Sequence, residues 1–130
     1  MFNNIYHQSY IIKNHIKTQY NEEMLGSLYS NAFCLIYPSL YEGFGLPILE
    51  AMNNNCPVIC SNTSSLPEVG GDAVEYFNPR ELDSLVDAIK KIINSEKYRN
   101  ILIKNAFIRS KFFSWEKTAQ ETFQVYKSLL

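Results

Sequence analysis

With 130 residues the chain has the length of one modest domain, able to bury a core without disulfide or metal staples. Hydrophobic residues make up 46% and charged residues 19%, a globular balance that argues against wholesale disorder. The formal charge is -1, from 12 basic and 13 acidic residues, so the electrostatic footprint demanded by nucleic acid or an anionic membrane is excluded and a small or weakly charged partner is favoured.

The opening MFNNIYHQSYIIKN lacks the basic region, apolar stretch and small-residue cleavage site of a signal peptide, and YIIKNHI within and after it reads as a strand. In NEEMLGSLYSNA, Asn21 is placed as an N-cap, with acids in the first turn and Leu25, Leu28, Tyr29 and Ala32 on one face of a short helix. FCLIYPS is a continuous apolar run ended by a proline, which fits a strand buried on both faces. GLPILEAMNN then puts Pro47 at a first helical position, and CPVICSN is a second apolar strand.

Strand, loop, helix and strand in that order predict a βαβ unit with parallel strands, and so an α/β fold with a parallel sheet covered by helices on both faces. The turn-rich TSSLPEVGGD leads to a strand AVEYF and a helix opened by Asn78, Pro79 and Glu81 in capping-box spacing. Leu82, Leu85, Val86, Ile89, Ile92 and Ile93 form the apolar stripe of that helix. A further helix carries Tyr98, Ile101, Leu102, Ile108 and Phe112; Ser114 caps the last one. Its Trp115, Ala119, Phe123, Tyr126 and Leu130 recur at helical spacing and read as core, or as cover for a larger surface. No repeat or linker divides the chain, so one domain spans 1–130.

Cys34, Cys56 and Cys60 are an odd set inside or beside apolar runs, which points to buried reduced thiols in a cytoplasmic protein rather than to a disulfide framework. His7 and His15 have no Cys, Asp or Glu at ligand spacing, so no metal is expected. No apolar run approaches membrane-spanning length.

Chemistry is sought where ligands collect in open parallel sheets, at the carboxyl ends of the strands, and YEGFGLPILEAM lies at such an end. Gly43 and Gly45 let a ligand approach the backbone, and the following helix N-terminus offers unpaired N–H groups with partial positive charge, a corner suited to a phosphate or sugar oxygen. On motif grounds alone the glycines equally read as a tight turn, and Glu50 as a carboxylate in the first turn of a helix, stabilised by its dipole. Helical side chains lean toward the N-terminus, however, so Glu50 can reach the loop. Two acids beside a phosphate repel it and so should bind hydroxyls, the paired hydroxyls of a sugar matching the two oxygens of a carboxylate. A glycosidase also uses two carboxylates, at a separation that spacing in sequence does not supply.

The run YPSLYEGFGLPILEAM followed by CPVICSNTSSLPEVGGDA resembles the C-terminal donor-binding domain of retaining GT-B glycosyltransferases, the group 1 family. The signature is two glutamates, Glu42 and Glu50, with seven residues between them around G-F-G-L-P, then a P-V-I strand and a P-E-V turn. The resemblance runs from the NEEMLGSLYSNA helix to FSWEKTAQETFQVY and implies a Rossmann-like parallel sheet flanked by helices. It also implies a nucleotide-diphosphate sugar as substrate, transferred with retention and without a metal or other cofactor. By the same resemblance Glu42 is the catalytic carboxylate that contacts donor-sugar hydroxyls, amides around Gly43, Phe44 and Gly45 hold the sugar and diphosphate, Leu46 lines the nucleotide side, and Glu50 binds the ribose diol. The basic Arg/Lys pair and the acceptor-binding domain of such enzymes have no counterpart in the matching stretch. A truncated domain, inactive alone and partnered by a separate acceptor-binding domain or chain, is the expectation. The alternative is a non-catalytic nucleotide-sugar-binding or interaction module acting with a separate chain.

Overall fold

The computed structural model describes residues 10–11, 16–17 and 21–129. The expectations for His7, His15 and the opening residues lie outside them. Strands β1 (Tyr10–Ile11) and β2 (Ile16–Lys17) pair antiparallel, with Tyr10 opposite Lys17 and Ile11 opposite Ile16. Within YIIKNHI, expected as one strand, Tyr10–Ile11 and Ile16 belong to two different strands; residues 12–15 lie outside the described residues.

Helix α1 (Glu22–Asn31) starts at the expected cap: Asn21 Oδ1 accepts from the Met24 amide at 2.8 Å. Then follow β3 (Leu35–Tyr37), α2 (Leu46–Asn53), β4 (Val58–Ser61), the short α3 (Leu66–Gly70) and β5 (Glu75–Phe77). The three strands form a parallel sheet in the order β3-β4-β5, with Ile36 opposite Ile59 and Cys60 opposite Tyr76. The expected βαβ unit is β3-α2-β4.

Central β4 is buried along its whole length, which its unbroken apolar run requires. Expected to be buried on both faces, β3 is only half-buried; among the described residues it pairs with β4 alone. Alternation along β4 divides the core. Val58 and Cys60 join Ile48, Leu49, Met52 and Leu66 on the face covered by α2 and α3, whereas Ile59 joins Phe77 on the opposite face. Each fully buried aliphatic side chain of this kind contributes about 1.5–3 kcal/mol.

The second face is covered by α4 (Leu82–Asn94) and α5 (Glu96–Ser110), through Ala88, Ile92 and Leu102. The start of α4 differs from the expected capping box. Its N-cap is Glu81, without a side-chain bond to the helix, while Asn78 Oδ1 accepts from the Arg80 amide and Asn78 Nδ2 donates to Glu81 Oε1. The asparagine builds a local turn ahead of the helix instead of capping it. Leu82 and Ile93, at the ends of the expected stripe, are exposed, as are Ile101, Ile108 and Phe112. Buried Glu75 is satisfied by Lys91 Nζ at 2.9 Å and by the Tyr98 hydroxyl, so one carboxylate joins β5 to both helices.

Helix α5 also sends Ala106 to the first core cluster and packs against both α2 and α4. From its end, Arg109 donates to the Val69 carbonyl at 3.1 Å and the Glu68 carbonyl at 2.6 Å, near the C-terminus of α3. The turn-rich TSSLPEVGGD thus contains a helix as well as turns.

Ser114 caps α6 (Trp115–Ser128) as expected, accepting from the Lys117 amide. The reading of its aromatics as core is corrected: α6 has no buried residue, and Trp115, Phe123 and Tyr126 are exposed. Helical periodicity sets which residues share a face but does not supply an opposing surface. No helix of the described residues is long and apolar enough to cross a membrane.

Candidate functional site

The loop of residues 38–45 leaves the carboxyl end of β3, and the loop of residues 62–65 leaves the adjacent end of β4. Hydroxyls tie the two together. Thr63 Oγ1 donates to the Ser39 carbonyl at 3.3 Å, Ser64 Oγ to the Glu42 carbonyl at 2.6 Å, and Ser65 Oγ to the carbonyls of Glu42 and Phe44, each at 3.0 Å. The surface beyond is open. Leu40, Tyr41, Phe44 and Leu46 keep large apolar areas exposed on it.

Glu42 is half-buried and aligned by two donors, Tyr37 Oη at 2.6 Å and Ser39 Oγ at 2.8 Å, both on Oε1. This leaves Oε2 for another partner. Glu50 is aligned by one, Tyr29 Oη at 3.2 Å on Oε2. Burial first, then the carboxylate each faces, pushes both phenols above their ordinary range, so Tyr29 and Tyr37 remain protonated donors at neutral pH. The charge of Glu50 adds a smaller upward push on Tyr37.

The position of Glu50 differs from expectation. Helix α2 begins at Leu46, with Pro47 second, so Glu50 is its fifth residue and the first turn holds no acid. The dipole account of Glu50 therefore loses its basis; its partner is a tyrosine of α1.

The two glycines separate into different cases. Gly45 caps α2 at φ 99°, where a Cβ would stand 2.7 Å from Leu66 Cδ2, so the turn itself demands glycine. Gly43 has no positive φ and a Cβ there would meet nothing within 4 Å, so neither backbone nor packing demands it. Among the described residues no protein acceptor takes the amides of Gly43, Phe44, Gly45 or Leu46.

Tyr29, Tyr37, Ser39, Ser64 and Ser65 are the residues that sequence reasoning missed. The available signal was topological: β4 neighbours β3 in a βαβ unit, so the loops after the two strands must meet. The described residues contain no group of three His, Cys, Asp or Glu side chains poised for a metal ion. A shallow depression of about 550 Å³ lies along α5 between Glu96 and Lys104 and includes none of the loop residues.

A family model described as "Glycosyl transferases group 1" matches residues 4–109. The O-antigen chain mannosyltransferase B of Escherichia coli is 44% identical over 108 residues, covering 83% of this chain and 28% of that protein. The MMP alpha-(1->4)-mannosyltransferase of Mycolicibacterium hassiacum is 32% identical over 120 residues, covering 89% and 29%. Among solved structures, sucrose-phosphate synthase from Thermosynechococcus elongatus superposes with a TM-score of 0.77 at 32% identity, over 85% of this chain and 29% of that one. The chain spans less than a third of the length of each of these relatives. With the glutamate-flanked loop at the carboxyl ends of a parallel sheet, and a family match over most of its length, the chain belongs to the group 1 glycosyltransferases.

Proposed function

We propose that this chain binds the nucleotide-diphosphate end of a sugar donor and supplies the donor side of a retaining glycosyl transfer, with a mannosyl group as the sugar. The choice of sugar follows the mannosyltransferases that the chain resembles. In this reading Glu42 contacts the donor-sugar hydroxyls through the oxygen its tyrosine and serine leave free. The amides from Gly43 to Leu46 approach the sugar and diphosphate, Leu46 lies along the nucleotide, and Glu50 takes the ribose diol.

The bond from the anomeric carbon to the diphosphate oxygen breaks, its electron pair leaves with the diphosphate, and the oxygen of an acceptor hydroxyl bonds to the same face of the sugar as its proton passes to the departing diphosphate. Negative charge grows on the leaving group, so N–H groups held at the start of α2 stabilise the transition state more than the ground state. The acceptor is presented by another domain or chain.

The observation that carries this reading is Gly43. A glycine that neither backbone nor packing requires lies between two carboxylates, each aligned by a tyrosine, and beside amides that find no acceptor among the described residues. Calorimetric titration of the chain with GDP-mannose and UDP-glucose tests it. Glu50→Ala should weaken binding of the free nucleoside diphosphate about tenfold, the worth of a hydrogen bond to a charged group. An equal free-energy loss in folding stability and in binding would reduce Glu50 to a structural partner of Tyr29. Donor binding with no transfer when an acceptor-binding chain is supplied would favour a binding module over an enzyme.

A further inference from the structure

Ser64 and Ser65 depart from ordinary local chemistry in two independent ways. Ser65 is the N-cap of α3, a position where a serine oxygen normally accepts from an amide of its own helix, yet it makes no such bond. Its hydroxyl reaches across to the neighbouring loop, 3.0 Å from the carbonyl oxygens of both Glu42 and Phe44. Ser64 has φ 56°, in the left-handed region that side chains rarely adopt. Glycine would sit there without strain, so what the serine contributes is its hydroxyl. That hydroxyl brackets one residue, accepting from the Glu42 amide at 3.3 Å and donating to the Glu42 carbonyl at 2.6 Å.

The consequence follows from peptide geometry. In a planar trans peptide the N–H points opposite to the C=O of the preceding residue, and the chain has no cis peptide among its described residues. Serine hydroxyls hold the carbonyls of Glu42 and Phe44 on one side of the loop. The N–H groups of Gly43 and Gly45, in those same two peptide units, are thereby turned to the other side, and no described protein acceptor takes them. We propose that Ser64 and Ser65 are positioning residues: they set the direction in which the Gly43 and Gly45 amides are presented to an anionic, diphosphate-bearing ligand. This rests on the donor-site reading above and extends it to residues outside the glutamate motif.

The test uses the 130-residue chain with GDP-mannose and UDP-glucose as probes, reading affinity by calorimetry and folding by thermal unfolding. Ser64→Gly removes the hydroxyl and relieves the left-handed backbone, so the midpoint of unfolding should hold or rise while affinity falls about fivefold, the scale of one modest hydrogen bond. Ser65→Ala should lower affinity similarly, and Ser65→Thr, which keeps a hydroxyl, should restore it. Wild-type affinity in both Ser64→Gly and Ser65→Ala, or a loss of affinity matched by an equal loss of folding stability, would overturn the proposal and leave the donor-site reading standing. If the wild-type chain binds neither probe, the donor-site reading fails and this inference with it.

Discussion

The ring of Phe44 meets the ring of Phe113 edge to face, with centroids 5.8 Å apart and planes at 78°. Phe44 belongs to the glutamate-flanked loop and Phe113 to the turn between α5 and α6, so the loop is braced from a segment nearly seventy residues further along the chain. Arg109 lies against the same Phe113 ring while its guanidinium holds the end of α3. One aromatic contact therefore links the loop to the helix that follows β4.

Phe113→Ala should lower folding stability by about 1 kcal/mol, in the range measured for aromatic pairs, and raise the nanosecond mobility of the backbone from Gly43 to Leu46. Urea unfolding gives the first quantity and NMR order parameters the second. Unchanged order parameters in the loop would show that Phe113 does not brace it.

Alanine at the two glycines should give opposite results. Gly45→Ala meets both a φ of 99° and a contact of 2.7 Å with Leu66, so a loss of about 1–3 kcal/mol is expected in denaturant melts. Gly43→Ala should change stability by less than about 0.5 kcal/mol, as at an open surface position, yet weaken nucleotide-sugar binding. If Gly43→Ala binds as the wild type does, the backbone at that point is not approached by the ligand.

Much of this architecture could be read from the chain before folding is considered. Two apolar runs separated by a proline-started helix specify β3-α2-β4, because short continuous apolar runs on either side of a helix are the pattern of strands in a helix-covered parallel sheet, although β3 proves only half-buried. The glutamate pair was visible for the same reason: it sits at the joint. What aligns the glutamates was not. Tyr29 is 21 residues from Glu50, and Ser64 is 22 from Glu42, so these contacts exist only once the crossover has brought the segments together. The aromatics of α6 were misread for a related reason, since periodicity identifies a face but not its partner. In front of α4, Asn78 competes for local hydrogen bonds in a way that spacing alone mistook for a cap.

Alkaline pH should destabilise the fold through its buried thiols and phenols. Burial, aided by the hydrogen bond to Glu75, pushes the Tyr98 phenol up to about 12, and burial alone puts the Cys60 thiol at about 12. Burial is also the main reason that the Cys56 thiol stands at about 12 and that the phenols of Tyr29, Tyr37 and Tyr76 are raised. In the unfolded chain these groups ionise near their ordinary values, 9.0 for a thiol and 10.0 for a phenol. From there up to the folded values, the unfolded chain has released protons that the native one keeps, so stability falls as pH rises. Their contribution is complete below about pH 9 and lost through about pH 12. Thermal midpoints across this range, with phenolate absorbance followed on the native protein, check it; a flat profile would contradict the raised values.

Helix α5 gives Leu102 to the core on one face of the sheet and Ala106 to the core on the other, one helical turn apart. Neither layer can therefore come apart without dislodging an element that the other depends on. The two cores should unfold together, and with them the base on which the loop at the strand ends is mounted.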